Sequence, residues 1–253
     1  MTRLIGIEVR RLAYRRLTRV GVLLAFVLIA VAAVIAAVSS KPNDPIRLAF
    51  MREVLPSLGF AFAMGGLIMG ASSLGADWHA GTVMTQLTWE PRRPRVLAAR
   101  FAACVVVVFA LAVALQALLL GAFAVVASTV GTFDGTGGTW VSEVAGIVLR
   151  IGALASITGA LGLSLTALTR NTAAAVGIVF AEMVVVEGLI RGLRPGWVPW
   201  LVGENAAVFL SGDPQGVLGS TVRTPTLSFL LLCGYAVALA ALGLVAFVRR
   251  DVP

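Results

Sequence analysis

Six long apolar runs, at roughly residues 20–38, 54–76, 101–128, 141–168, 173–190 and 226–248, constrain this 253-residue chain more than any motif in it. A helix needs about 20 predominantly apolar residues to cross the hydrocarbon core of a bilayer. Only helices and closed barrels satisfy their own backbone hydrogen bonds there. The chain lacks the ten-residue alternation of apolar and polar positions that a barrel strand requires. The runs therefore predict an all-α membrane protein, with six transmembrane helices in a single transmembrane domain spanning 1–253. Composition agrees: 13% of residues are charged, against about 25% in a soluble domain. The third and fourth runs exceed what the bilayer needs, so those helices should tilt or project from it.

The net charge of +8 comes almost wholly from arginine, with Lys41 the only lysine. On a soluble chain that excess would point to nucleic acid. Here the arginines cluster at the ends of apolar runs, where they orient and anchor helices, so the expected partner is membrane lipid and not nucleic acid. Six crossings place both termini on one side. With the N-terminus inside, thirteen basic residues fall in cytoplasmic segments and six in outer ones, with Arg150 left inside a span. The loop 129–140 carries Asp134 and no basic residue. The positive-inside rule thus predicts a multi-pass protein with cytoplasmic N- and C-termini. Cys104 and Cys233 both lie inside apolar runs and read as buried thiols.

Residues 1–19 read as an amphipathic helix in the inner interface. Ile5, Val9, Leu12, Ala13, Leu17 and Val20 share one side, while Arg3, Arg10, Arg11, Arg15 and Arg19 lie mostly around the other. Arg16 falls within the apolar stripe and would have to snorkel. The following run exceeds the apolar core of a signal peptide, about 7–15 residues, and predicts a retained first span. The segment 191–225 is long and only moderately polar. Its stretches 197–202 and 206–210 are apolar but too short to cross, and its tryptophans suit the headgroup region, so it predicts short re-entrant or interfacial helices before the last span.

No catalytic constellation is legible. The chain has no phosphate-cradling G-x-x-x-x-G-K-[ST] loop, no G-x-S-x-G elbow and a single histidine, His79, so no metal centre, bound cofactor or catalytic role is expected of it. Three charges fall within spans, where each is costly: Arg150, Glu182 and Glu187. Counting from the span ends puts Arg150 and Glu187 in the same half of the membrane and predicts a pair between them, which could fix packing, line a path or serve a proton relay. Small residues recur at Gly152, Ser156, Ala160 and Ser164, and at Gly66 and Gly70, as helix–helix seams require.

The polar interruption 77–100 reads DWHAGTVMTQLTWEPRRPRVLAAR. Its order is Asp77, then Gly81-Thr82, an apolar stretch 83–88, Pro91, the basic Arg92-Arg93-Pro94-Arg95, then Val96-Leu97, and Arg100 entering the next span. This resembles the loop between the second and third spans of ABC-2 type transporter permeases. Trp89-Glu90 stands where that family more often has small or apolar residues, and Arg100 replaces its usual lysine. The remaining chain is similar in outline. The resemblance implies the permease subunit of a bacterial inner-membrane ABC exporter. Asp77, Gly81, Thr82, Glu90, Pro91, Arg92, Arg93 and Arg95 would couple it to a separate ATPase. It further implies a short coupling helix near 81–88, and Glu90–Arg95 at the ATPase surface. Arg10, Arg11 and Arg15 would belong to the adjoining interfacial helix. Two cytoplasmic ATPase subunits and a second permease chain, identical or not, would complete the assembly, with ATP and Mg held by the ATPase. The cargo would be hydrophobic or amphipathic: lipid, drug or peptide. A faint likeness of Glu143-Val144-Ala145-Gly146 to an importer motif falls on the outer side and carries no weight. Two other classes stay open: a non-transporting immunity or regulatory subunit, and a proton-driven secondary transporter using Glu182 and Glu187. Those two glutamates sit about 140° apart on a helix, and the chain shows no inverted repeat.

Overall fold

A computed structural model describes residues 2–41, 45–82, 88, 92–212 and 223–249 of the chain. It is helical throughout, with no β-strand among the described residues. The elements are α1 (Thr2–Ala13), α2 (Arg16–Ser39), α3 (Met51–His79), α4 (Arg93–Val130), α5 (Gly138–Thr169), α6 (Thr172–Leu193), α7 (Val202–Ser211) and α8 (Pro225–Arg249). A 3-10 turn, Leu48–Phe50, leads into α3, and a second, Pro195–Trp200, precedes α7. Six helices (α2 to α6 and α8) are long and apolar enough to cross a membrane. Each contains one of the six apolar runs and extends it by a few residues. With 38 residues, α4 measures about 57 Å against a core of about 30 Å.

The centre of the bundle is the α3–α5 seam, which is built from small residues. A Cβ at Gly70 would enter the Gly159 carbonyl, one at Gly66 the Ala155 carbonyl, and one at Gly162 the Leu67 carbonyl. The Thr158 hydroxyl crosses the seam to donate to the Ala63 carbonyl at 2.7 Å. Gly66 and Gly70 thus mark the seam as expected, but their partners on α5 are Ala155 and Gly159, while Gly162 faces Leu67 and Ala71 of α3. The 152–164 stripe serves other neighbours. Gly152 abuts Phe109 and Val113 of α4, Ser156 donates to the Val105 carbonyl at 3.2 Å, and the Ser164 backbone meets Gly243 of α8. Because α5 is small on several faces, three helices approach it closely, and it is the most buried span.

Around this centre, α6 packs on α3 and α5, α8 packs on α5 and α7, and α2 lies along α4. The first nineteen residues are not one helix, as the sequence pattern predicts. The chain breaks at Tyr14–Arg15, and Arg16–Arg19 form the first turn of α2, in which Thr18 is buried and Arg16, Leu17 and Arg19 are exposed. Thr18 causes the break by donating to the Leu12 carbonyl at 2.7 Å, while Arg15 adopts extended backbone. Arg16 therefore points to solvent and has no apolar stripe to escape.

Candidate functional site

α1, the end of α3 and the start of α4 converge at one end of the bundle, and their charges meet there. Asp77, in the last turn of α3, is buried and receives three guanidiniums: Arg11 at 2.5 Å, Arg100 at 2.7 Å and Arg15 at 3.1 Å. Glu8 of α1 is also buried, 3.5 Å from Arg11 and 3.9 Å from Arg100. Arg15 further donates to the Ser72 and Ser73 carbonyls at 2.6 and 3.0 Å, and Arg100 to the Ser73 carbonyl at 3.3 Å. Burial pushes the Arg15 guanidinium below its ordinary value, with the Asp77 charge opposing the shift. An arginine remains protonated in either case. Charges in such a setting are stable only as a set, because each would be costly alone.

This set joins both ends of the 80–92 segment to α1. At its first end, Gly81 adopts φ +67° just past α3, the left-handed position where helices commonly stop at glycine. The Thr82 hydroxyl donates back to the Asp77 carbonyl at 3.5 Å. At its second end, Arg92 precedes α4 and Pro94 sits in the first turn, where its missing N–H removes no helical bond. Arg93 donates to the Val248 carbonyl at the end of α8, at 3.3 Å. Arg92 and Arg95 are exposed, and these residues with Pro94 and Val248 line a shallow concavity of about 400 Å³. Arg170, in left-handed backbone between α5 and α6, lays its guanidinium 4.7 Å from the Trp78 ring. Glu90, Pro91 and most of the 81–88 stretch expected to be helical lie outside the described residues.

Of the residues singled out from sequence, Asp77, Arg11 and Arg15 thus come together, with Gly81, Thr82, Arg92, Arg93 and Arg95 beside them. Arg10 stays exposed on α1. Arg11 and Arg15 face Asp77 rather than a headgroup layer, which corrects the polar-face reading. Glu8 was not legible as a member, because a helical wheel places it on the polar face and only the contact with α4 buries it.

The in-span charges are arranged differently from the expectation. Arg150 and Glu187 do not pair. Glu187 is held by Arg191 at 3.5 Å, one turn further along α6, and accepts from the Gly203 amide at 2.5 Å. Arg191 in turn binds Glu204 of α7 at 2.7 Å, and Glu204 is buried. The i,i+4 spacing of Glu187 and Arg191 was the overlooked signal. Asn205, also buried, donates to the Pro199 and Leu201 carbonyls and accepts from Arg223 at 3.2 Å. Arg223 also donates to the Pro199 carbonyl. Arg150 instead lies against Gly212, whose φ of +71° ends α7. Glu182 begins a π-helical segment, Glu182–Val186, and is half-buried. Glu143 pairs with Arg52 at 2.9 Å, at the end opposite Asp77.

No protein-family model matches the chain, and no curated protein matches it significantly. The resemblance in the 77–100 loop therefore stands on those residues themselves.

Proposed function

We propose that this chain is the membrane-spanning permease subunit of an ATP-driven exporter, and that its 80–92 segment docks a separately encoded ATPase. The observation that carries this reading is the ionic clamp. Asp77, Arg100, Arg11, Arg15 and Glu8 tie α1, α3 and α4 into one body around a basic loop. A loop held this way passes force to the spans as a rigid body, since packed elements shift between discrete arrangements and do not bend continuously. Exposed Arg92 and Arg95 supply positive charge for an acidic docking groove. The residue order of the loop adds the likeness to ABC-2 permeases. The proton-driven alternative needs Glu182 and Glu187 as a relay. Glu187 is already engaged by Arg191 and the Gly203 amide, which weighs against it.

The test is co-expression of the full chain with an ATPase lacking spans and encoded next to it. Under the proposal the two co-purify, the chain stimulates ATP hydrolysis, and R92E/R95E abolishes capture while leaving the chain's thermal stability unchanged. Isolation without an ATPase, together with cargo movement driven by a proton gradient alone, would overturn it.

A further inference from the structure

α2 packs along α4 but builds no comparable seam with α3. Between α2, α3 and α4 lies a cleft of about 630 Å³. It runs along α2 from Leu17 to Ala32, about 22 Å at helical rise. Thr18 is the only polar side chain among the residues lining it, and its hydroxyl is spent on the Leu12 carbonyl. Missing side chains create the space: a Cβ at Gly21 of α2 or Gly65 of α3 would meet nothing within 4 Å. One residue further, Gly66 is pressed against α5, so the two faces of α3 differ sharply.

The lining of the cleft selects its occupant. Apart from Thr18 it offers only apolar side chains and glycines over its whole length. A hydrocarbon chain lies there without leaving a polar group unpaired. The charge at one end selects the headgroup. Leu17 and Thr18 end the cleft on the Asp77 side, and exposed Arg16 and Arg19 flank them. Arg3 and Arg10 of α1 are exposed as well, and Glu8, the one carboxylate in the first nineteen residues, is buried against Arg11.

We propose that this cleft binds one acyl chain of an anionic phospholipid, whose headgroup rests at the Arg16–Arg19 turn. The proposal depends on the membrane spans and is independent of the ATPase reading. The test uses the full chain in phosphatidylcholine nanodiscs carrying a trace of phosphatidylglycerol or phosphatidylcholine with a photoreactive acyl chain, followed by peptide mapping. The phosphatidylglycerol probe should label 17–32 and 58–69 roughly fivefold or more above the phosphatidylcholine probe. G21L/G65L fills open space, so it should keep its melting temperature and lose this labelling. R16Q/R19Q should keep acyl labelling and lose the preference for phosphatidylglycerol. Equal labelling by both probes, labelling undiminished in G21L/G65L, or crosslinks joining two copies of the chain through 17–32 would each overturn the proposal.

Discussion

Three ion pairs converge on Asp77, and its identity is directly open to test. Its carboxylate receives three guanidiniums in a buried setting. Asp77→Asn would leave three guanidiniums with Glu8 as their one remaining carboxylate among the described residues, near Arg11 and Arg100 but with no ion pair to Arg15, a loss of roughly 3–5 kcal/mol for a broken buried pair. A marked fall in melting temperature in detergent is expected, and an unchanged one would refute the clamp. Glu187 and Glu182 provide a contrast at the same scale. Glu187→Gln weakens the Arg191 pair and the Gly203 acceptor and should destabilise by roughly 1–3 kcal/mol. Glu182→Gln removes a charge from a half-buried site in a span and should leave stability unchanged or raise it. Thermal unfolding of the two variants side by side checks the assignment. The sequence identifies both glutamates equally well. It does not tell them apart, because their difference lies in α7, which folds back to Glu187 through Gly203.

Among the elements, the α3–α5 seam depends on glycine for close approach and not for backbone freedom. Gly70→Ala places a methyl group into the Gly159 carbonyl, whereas Gly65→Ala places one into open space. The first should cost about 1–3 kcal/mol or more, as overpacking commonly does. The second should be near neutral, and size-exclusion profiles with melting temperatures distinguish them. Gly66 and Gly70 were legible as a small-residue stripe. Their partners were not, because α5 is small on several faces and a four-residue period cannot say which face meets which helix. The extent of α1 was likewise hidden. Its apolar stripe continues past residue 13, and a single hydroxyl bond from Thr18 to the Leu12 carbonyl turns the chain.

For the whole molecule, α1, the end of α3, the start of α4 and the end of α8 share one end, since Arg11 and Arg15 reach Asp77 and Arg93 reaches Val248. A membrane-impermeant thiol reagent should label Thr88→Cys only after cells are opened and Thr136→Cys in intact cells. The reverse pattern would invert the proposed orientation. The number of spans, their approximate limits and the basic loop were all determined by the sequence alone, because crossing a bilayer is a local requirement that each run of about 20 apolar residues meets by itself. Which charges meet was decided only by the tertiary structure. Glu8 joins Arg100 across 92 positions of chain, and Arg191 joins Glu204 of α7, a pairing between two helices that no local pattern specifies. Ion pairing acts over a few ångströms in space and is indifferent to distance along the sequence, so the clamp and its counterpart at the far end exist only once the helices have packed.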